Sequence, residues 1–262
     1  MKIDTLVSTM NTPNPLNLIN RMKIESDVIM INQTNYNSYK AYNIKKNIYR
    51  VYSFDEIGVG LSRNSALMRS FADICIMADD DMVYREGYLD EIKKAYKQNP
   101  NADMIVFNVN IYESNNIRQT VKKSKRVRWY NCLRYGTVTF TFKRESILKI
   151  NNSFSLLFGG GAKYGSGEDS LFIWNAINKG LKVYAVNKTI ADVYNNNSTW
   201  FEGYNEKFYK DKGALFAALN SRYYWIFNLQ YVMRHPSKEY SRSTVLNLMQ
   251  MGAKEFLKRK VD

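Results

Sequence analysis

The feature that most constrains this chain is an apolar run that ends abruptly in acid: Ile74-Cys75-Ile76-Met77-Ala78 followed by Asp79-Asp80-Asp81. A short continuous apolar run reads as a strand covered on both faces, and the acids mark where its C-terminal end opens on a site. Three neighbouring carboxylates repel one another, so the folded chain must compensate them. A hard divalent cation with bound phosphate oxygens does this well, because Mg²⁺ and Mn²⁺ favour carboxylate oxygen. The C-terminal edge of an open α/β sheet is also where ligands bind. A simpler use of the same acids is capping: Asp81 would start a helix running from Tyr84 to Gln98, with Asp79 and Asp80 solvated.

Apolar runs of the same kind recur. Ile3 to Met10 reads as a first strand, closed by Asn11 and the turn residues Thr12-Pro13-Asn14-Pro15. Leu16 to Lys23 reads as a short helix. Asp27 to Ile31 and Ile48 to Phe54 are further strands, the former ending in Asn32-Gln33-Thr34-Asn35. Ala102 to Val109, Val138 to Phe142 and Val183 to Val186 follow as later strands, and the chain from Ala214 onward reads as helical. Strands that alternate with helices and end in polar residues predict a doubly wound α/β sheet with one ligand edge. The expected division is a catalytic domain over 1–190 and an aromatic, basic helical segment over 191–262 packed on it. Within the first, 1–110 would bind nucleotide and 111–190 the acceptor.

Composition narrows the partners. The 262 residues carry a formal charge of +14, which points to an anionic partner: phosphorylated substrates, an anionic membrane surface or nucleic acid. Twenty Tyr and four Trp add amphipathic rings suited to interfaces. Cys75 and Cys132 make no disulfide framework and read as reduced thiols of a cytoplasmic protein. Leu6-Val7 is far too short for the apolar region of a leader, and no stretch approaches the ~20 apolar residues of a membrane span.

Two glycine-bearing segments bring further candidates. Gly58-Val59-Gly60-Leu61-Ser62-Arg63-Asn64 is not a dinucleotide fingerprint, since Arg63 stands where a third glycine belongs. It is expected to open a helix whose first turn presents amide donors and a guanidinium, a set that suits a diphosphate or a nucleotide edge. A surface salt bridge is the plainer use of Arg63. Further on, five glycines between Gly159 and Gly167 make a mobile or tightly turned loop that delivers Glu168-Asp169 to the start of a helix. The acids are either N-terminal caps or a general base presented to a cleft, over which the loop could close. The run from Lys122 to Tyr130 reads as a solvated basic loop, or as a grip on nucleic acid or anionic lipid. His235, the single histidine, is given no role.

Taken together, Ser8-Thr9-Met10-Asn11, Ser62-Arg63-Asn64-Ser65-Ala66, Ala78-Asp79-Asp80-Asp81 and Gly165-Ser166-Gly167-Glu168-Asp169-Ser170-Leu171-Phe172 resemble family 2 glycosyltransferases. The likeness extends over roughly residues 3 to 190, and is to small bacterial enzymes of capsule and exopolysaccharide assembly. Ser198-Thr199-Trp200-Phe201 and Asn205-Glu206-Lys207-Phe208 resemble a subgroup's C-terminal segment. The resemblance implies a GT-A fold: a Rossmann-like, doubly wound mixed sheet flanked by helices, with a helical C-terminal extension. It also implies an inverting hexosyl or N-acetylhexosaminyl transfer from a nucleotide-diphosphate sugar, a UDP-sugar for choice, with Mn²⁺ or Mg²⁺ as cofactor. The acceptor would be a saccharide, polyprenyl-diphosphate-linked and met at the inner face of the cell membrane.

Carried over residue by residue, Asp79 and Asp81 would hold the metal, and Thr9, Asn11, Gln33, Asn35, Arg63, Asp79 and Asp80 would line the nucleotide site. Asp169 would be the base, with Glu168 as the alternative. Gly160, Gly161, Ser198, Trp200 and Lys212 would contact acceptor or diphosphate. Two departures from the family stand out. Gln33 or Asn35 replaces an acid after the second strand, and Tyr194 to Asn197 replace a histidine ligand. The competing readings are a two-metal nucleotidyl or phosphoryl transferase and a non-catalytic module that grips nucleic acid through Lys122 to Arg128. Neither accounts for both acidic stretches and the glycine loop.

Overall fold

The computed structural model describes residues 1–113, 116–194 and 203–258. Apart from β3, its first half follows the expected alternation: β1 (Ile3–Met10), α1 (Pro15–Arg21), β2 (Asp27–Thr34), β3 (Ser38–Ile44), β4 (Asn47–Asp55), α2 (Val59–Arg69) and β5 (Ile74–Asp79). After the acids come β6 (Met82–Tyr84), α3 (Tyr88–Gln98), β7 (Met104–Glu113), β8 (Asn116–Gln119), β9 (Lys125–Val127) and two short 3₁₀ turns, Trp129–Arg134 and Thr137–Thr139. The chain continues with β10 (Phe140–Lys143), α4 (Arg144–Lys149), α5 (Glu168–Asn178) and β11 (Val183–Tyr194), then α6 (Glu206–Leu219), α7 (Tyr224–Arg234) and α8 (Arg242–Lys258).

Nine strands lie in the order β3-β4-β2-β1-β5-β10-β7-β11-β6, with β8 on β7 and β9 on β11. β4, β2, β1 and β5 run parallel, whereas β10 and β6 are antiparallel to their neighbours. The chain builds outward from β1 through β2 to β4, then returns to lay β5 on the other side of β1. The direction of winding therefore reverses between β1 and β5, and the crevice outside that point is where such sheets bind ligands.

Residues one apart along a strand face opposite sides, and each side has its own core. Leu6, Ile29, Met77, Val106 and Phe142 face α2, α5 and the C-terminal helices. Val7, Met30, Ile76 and Ile105 face α1 and α3. Phe154 stacks on Phe172 of α5 at 4.1 Å between ring centroids. The C-terminal helices belong to the first core, where Phe256 of α8 packs on Phe158 and Tyr164. α6 and α8 cross backbone to backbone: a Cβ on Gly213 would overlap the Met249 carbonyl, and one on Gly252 the Lys210 carbonyl.

Several elements differ from the sequence expectation. β3 was not expected, because its mostly exposed Ser-Tyr-Lys-Ala-Tyr-Asn-Ile lacks an apolar face; it is the charged, polar edge strand that closes the sheet. No helix starts at Asp81. β6 intervenes, and α3 begins only at Tyr88, after Gly87 in the left-handed region at φ 73°. β11 runs eight residues past the expected Val186, across a register shift, and so across the 190 boundary.

Candidate active site

The acids after β5 stand at the switch point. Thr9, at the end of β1, donates its hydroxyl to Asp80 Oδ2 at 2.6 Å and also lies 2.6 Å from the Thr12 hydroxyl. Asp81 Oδ1 is buried without a hydrogen-bond partner among the described residues. Burial, followed by the charges of Asp79 and Asp80, raises the Asp81 carboxyl to about 6. The Asp81 carbonyl accepts from the Tyr194 amide, so the end of β11 abuts this acid. The residues after Tyr194, including Asn195 to Asn197, Ser198 and Trp200, lie outside the described residues.

Arg63 links the two acidic stretches. It lies in the second turn of α2, since Gly58 is the N-cap and Val59 the first helical residue. The expected first-turn placement is thus shifted by a few residues, and the Val59 amide is already bonded to the Gly160 carbonyl at 3.0 Å. The buried guanidinium donates through Nη2 to both Asp79 oxygens, at 2.8 and 3.1 Å, and through Nη1 to Glu168 Oε1 at 2.6 Å. Burial alone would lower its pKa, but the Asp79 and Glu168 charges outweigh that and raise it. Arg63 is therefore neither a surface salt bridge nor an open phosphate hook. It is a clamp that fixes the distance between β5 and the start of α5.

That clamp separates the roles of Glu168 and Asp169. Glu168 is held at both oxygens, by Arg63 and by the Gly167 amide at 3.1 Å. Asp169 accepts from the Ser170 amide through Oδ1 at 2.6 Å, and its Oδ2 faces the backbone of Gly136. Burial and then the Glu168 charge push the Asp169 carboxyl up to about 6, against the opposing pull of Arg63 and Lys212. Of the two acids, Asp169 has an oxygen without a hydrogen bond among the described residues and a proton affinity suited to base catalysis near neutrality.

The glycine loop takes its tightly turned form. The Gly159 amide bonds to the Tyr164 carbonyl, Tyr164 to Leu157, and Gly165 to Asp211 of α6. Gly159, at φ 110°, packs against Glu168: a Cβ there would lie 2.8 Å from Oε2. Gly160 is buried, while Gly161 is exposed and borders Ile57 and Gly58. The expected lid has no counterpart in these bonds, which anchor the loop to α2 and α6.

The remaining candidates are distributed around β1 and β2. Asn11, at φ 50°, donates its amide to the Gln33 carbonyl. Gln33 accepts the Gly58 amide at 2.6 Å through its side-chain oxygen, and Asn35 is exposed. Asn32, not singled out in the sequence, brackets the Thr12 backbone at 3.0 Å on both its N–H and C=O sides and so shapes the turn that carries Asn11. Asn205, part of the family-like segment, caps α6 through the Phe208 amide. Lys212 faces Asp169 from α6, and burial lowers its pKa against the charges of Asp169 and Asp211.

The donor chemistry fits a divalent cation: hard carboxylate oxygens, one of them a buried atom on Asp81 with no partner among the described residues. Among the described residues no three acids, histidines or cysteines converge closely enough to hold an ion by themselves. Phosphate and water would have to complete the shell.

No family model and no curated protein sequence matches the chain. Solved structures do. S. aureus TarS 1–349 aligns with 99% of this chain and 73% of its own at 13% identity and a TM-score of 0.59. Its complex with UDP-GlcNAc aligns with 99% and 72% at 15% identity and a TM-score of 0.62. A longer TarS structure aligns with all of this chain and 44% of its own, at 14% identity and a TM-score of 0.58. The fold is that of GT-A glycosyltransferases. At such identities the likeness extends to the fold alone, and residue roles in this chain rest on its own geometry.

Proposed function

We propose that this chain is an inverting glycosyltransferase that moves a sugar from a UDP-sugar to a hydroxyl of a saccharide acceptor in bacterial surface polysaccharide synthesis. The observation that carries this reading is the Arg63 clamp. It ties the acids at the switch point to a helix start bearing a carboxylate raised to about 6. A donor-binding edge and a proton acceptor are thereby held in one rigid frame. The TarS structures with UDP and with UDP-GlcNAc support UDP as the nucleotide.

In this reading Thr9, Asn11 and Gln33 border the nucleoside, and Asp79 to Asp81 border its diphosphate. Asp81, with Asp79 where Arg63 yields it, would hold Mg²⁺ or Mn²⁺, which supplies Lewis-acid stabilisation of the leaving diphosphate. Asp169 takes the proton from the acceptor hydroxyl as its oxygen bonds to the anomeric carbon and the bond from that carbon to the diphosphate breaks, releasing UDP. Glu168 is a positioning residue, which keeps the α5 start against Arg63.

A lipid-linked acceptor reached from an anionic membrane surface is supported by α7. It exposes Trp225, Ile226, Leu229 and Met233 between Arg222 and Arg234. No helix among the described residues is long and apolar enough to cross a membrane. Release of UDP from UDP-GlcNAc and UDP-glucose, with and without added saccharide, tests the transfer reading. Turnover by the wild type that falls roughly 10²–10⁴-fold in Asp169→Asn, with UDP affinity retained, is expected. Absence of UDP release from every UDP-sugar tried would contradict it.

A further inference from the structure

Beside the helix start that carries Asp169, a cleft of about 940 Å³ opens between the basic segment around β9 and the C-terminal helices. Ser170 and Lys212 border it, so its inner end adjoins the base. Lys122, Lys123, Lys125, Arg134 and Arg234 line its walls. No Asp or Glu is among the described residues that line it.

The wall cations differ from others in the molecule. Arg63, Arg85, Lys163, Lys207 and Lys210 each meet an acid at 2.6–3.3 Å. Lys122, Lys123, Lys125, Arg134 and Arg234 are exposed and form no ion pair among the described residues. Gathering like charges on a concave wall without acids works against the fold by self-repulsion. It creates a focused positive potential, which is useful only toward an anion. At the inner end Lys212 lies against the charges of Asp169 and Asp211, its ammonium 5.4 Å from the Phe208 ring centroid and 6.0 Å from that of Tyr231.

We infer that this cleft is an anion subsite for the acceptor: it binds a phosphate group carried by the acceptor saccharide and so directs a nearby hydroxyl to Asp169. The assignment rests on the glycosyltransferase reading for the word acceptor, though not for the anion. The phosphate could belong to a lipid diphosphate or to a soluble phosphorylated chain, and the same cations would recognise either.

The test is calorimetric titration of inorganic pyrophosphate into the full chain saturated with UDP. Wild type is compared with the double variant Lys123→Gln/Arg134→Gln and the charge-keeping Lys123→Arg/Arg134→Lys. Binding to the UDP-saturated wild type is expected, weakened roughly tenfold in the neutralised variant and within about twofold in the charge-keeping one, with UDP affinity common to all three. Pyrophosphate that competes with UDP, or that binds the neutralised variant equally well, would overturn the subsite. So would a single-stranded oligonucleotide binding more tightly than pyrophosphate, with the steep salt dependence of a nucleic-acid groove. Pyrophosphate binding without any UDP binding would instead defeat the donor reading and leave the anion cleft standing. Farnesyl diphosphate replacing pyrophosphate separates the sources. A roughly tenfold gain marks a lipid-borne phosphate, and equal affinity marks a soluble one.

Discussion

A single arginine and a group of cleft cations flank the start of α5, and they are built on opposite principles. On the β5 side, Arg63 is buried and saturated by Asp79 and Glu168. On the α7 side, Lys122, Lys123, Lys125, Arg134 and Arg234 are exposed and form no ion pair among the described residues. The first arrangement fixes geometry, because a buried guanidinium with two carboxylates has one favourable position. The second stores attraction for something outside the chain. The same residue types thus serve the fold in one place and a ligand in the other, and burial together with the presence of acids tells them apart.

Breaking the clamp should have the largest effect on the fold. Arg63→Met leaves Glu168 and Asp79 without their partner, and about 3 kcal/mol of stability should be lost, the lower end for a broken buried pair because Asp79 keeps contact with water. Urea unfolding monitored by circular dichroism measures it. Gly213→Ala comes next. Its new methyl meets the Met249 carbonyl, so α6 must shift from α8, at a cost of roughly 1–3 kcal/mol. Because α6 carries Lys212, this variant should disturb the cleft while sparing UDP affinity, which separates the two regions functionally.

The pH response is smaller and has a defined sign. Asp169 and Asp81 hold their protons to about 6 in the folded chain against an ordinary value of 3.8. Between these values the folded state binds more protons than the unfolded state, so stability falls as pH rises through this window and is fullest below it. Activity should move the other way, rising as Asp169 loses its proton near pH 6. In Asp169→Asn the fall of stability across that window should shrink, which thermal melts at roughly pH 3.5 and 7 would detect. The smallest effect belongs to the cleft: Lys123→Gln/Arg134→Gln should alter stability by no more than about 0.5 kcal/mol, since these exposed cations form no ion pair among the described residues.

Much of the sheet was legible because buried parallel strands are near-continuous apolar runs: β1, β2, β4, β5 and β7 stand where the apolar runs placed them. β3 escaped notice because an edge strand needs no apolar face. The site was legible as residue types and less so as contacts. The residue type of Arg63 suits either a nucleotide contact or a salt bridge, and only the fold, which brings distant Glu168 to it, decides its partners. Asn32 looked like one more polar residue at a strand end, though it shapes the Thr12 turn. The basic run was visible as a loop, yet β9 lies within it, pairing with β11 and turning its lysines toward α6 and α7. A cleft made from segments so distant leaves no local signature.

A nucleotide site at the acids after β5 is tested most directly by UDP titration. Calorimetry would follow UDP with and without Mn²⁺ on the wild type, Asp81→Asn and Asp169→Asn. The prediction is Mn²⁺-dependent binding to the wild type and Asp169→Asn, weakened at least roughly tenfold in Asp81→Asn, as expected when a charged partner of a bound ion is removed. UDP binding that ignores Asp81→Asn, or no UDP binding by the wild type at all, would contradict it.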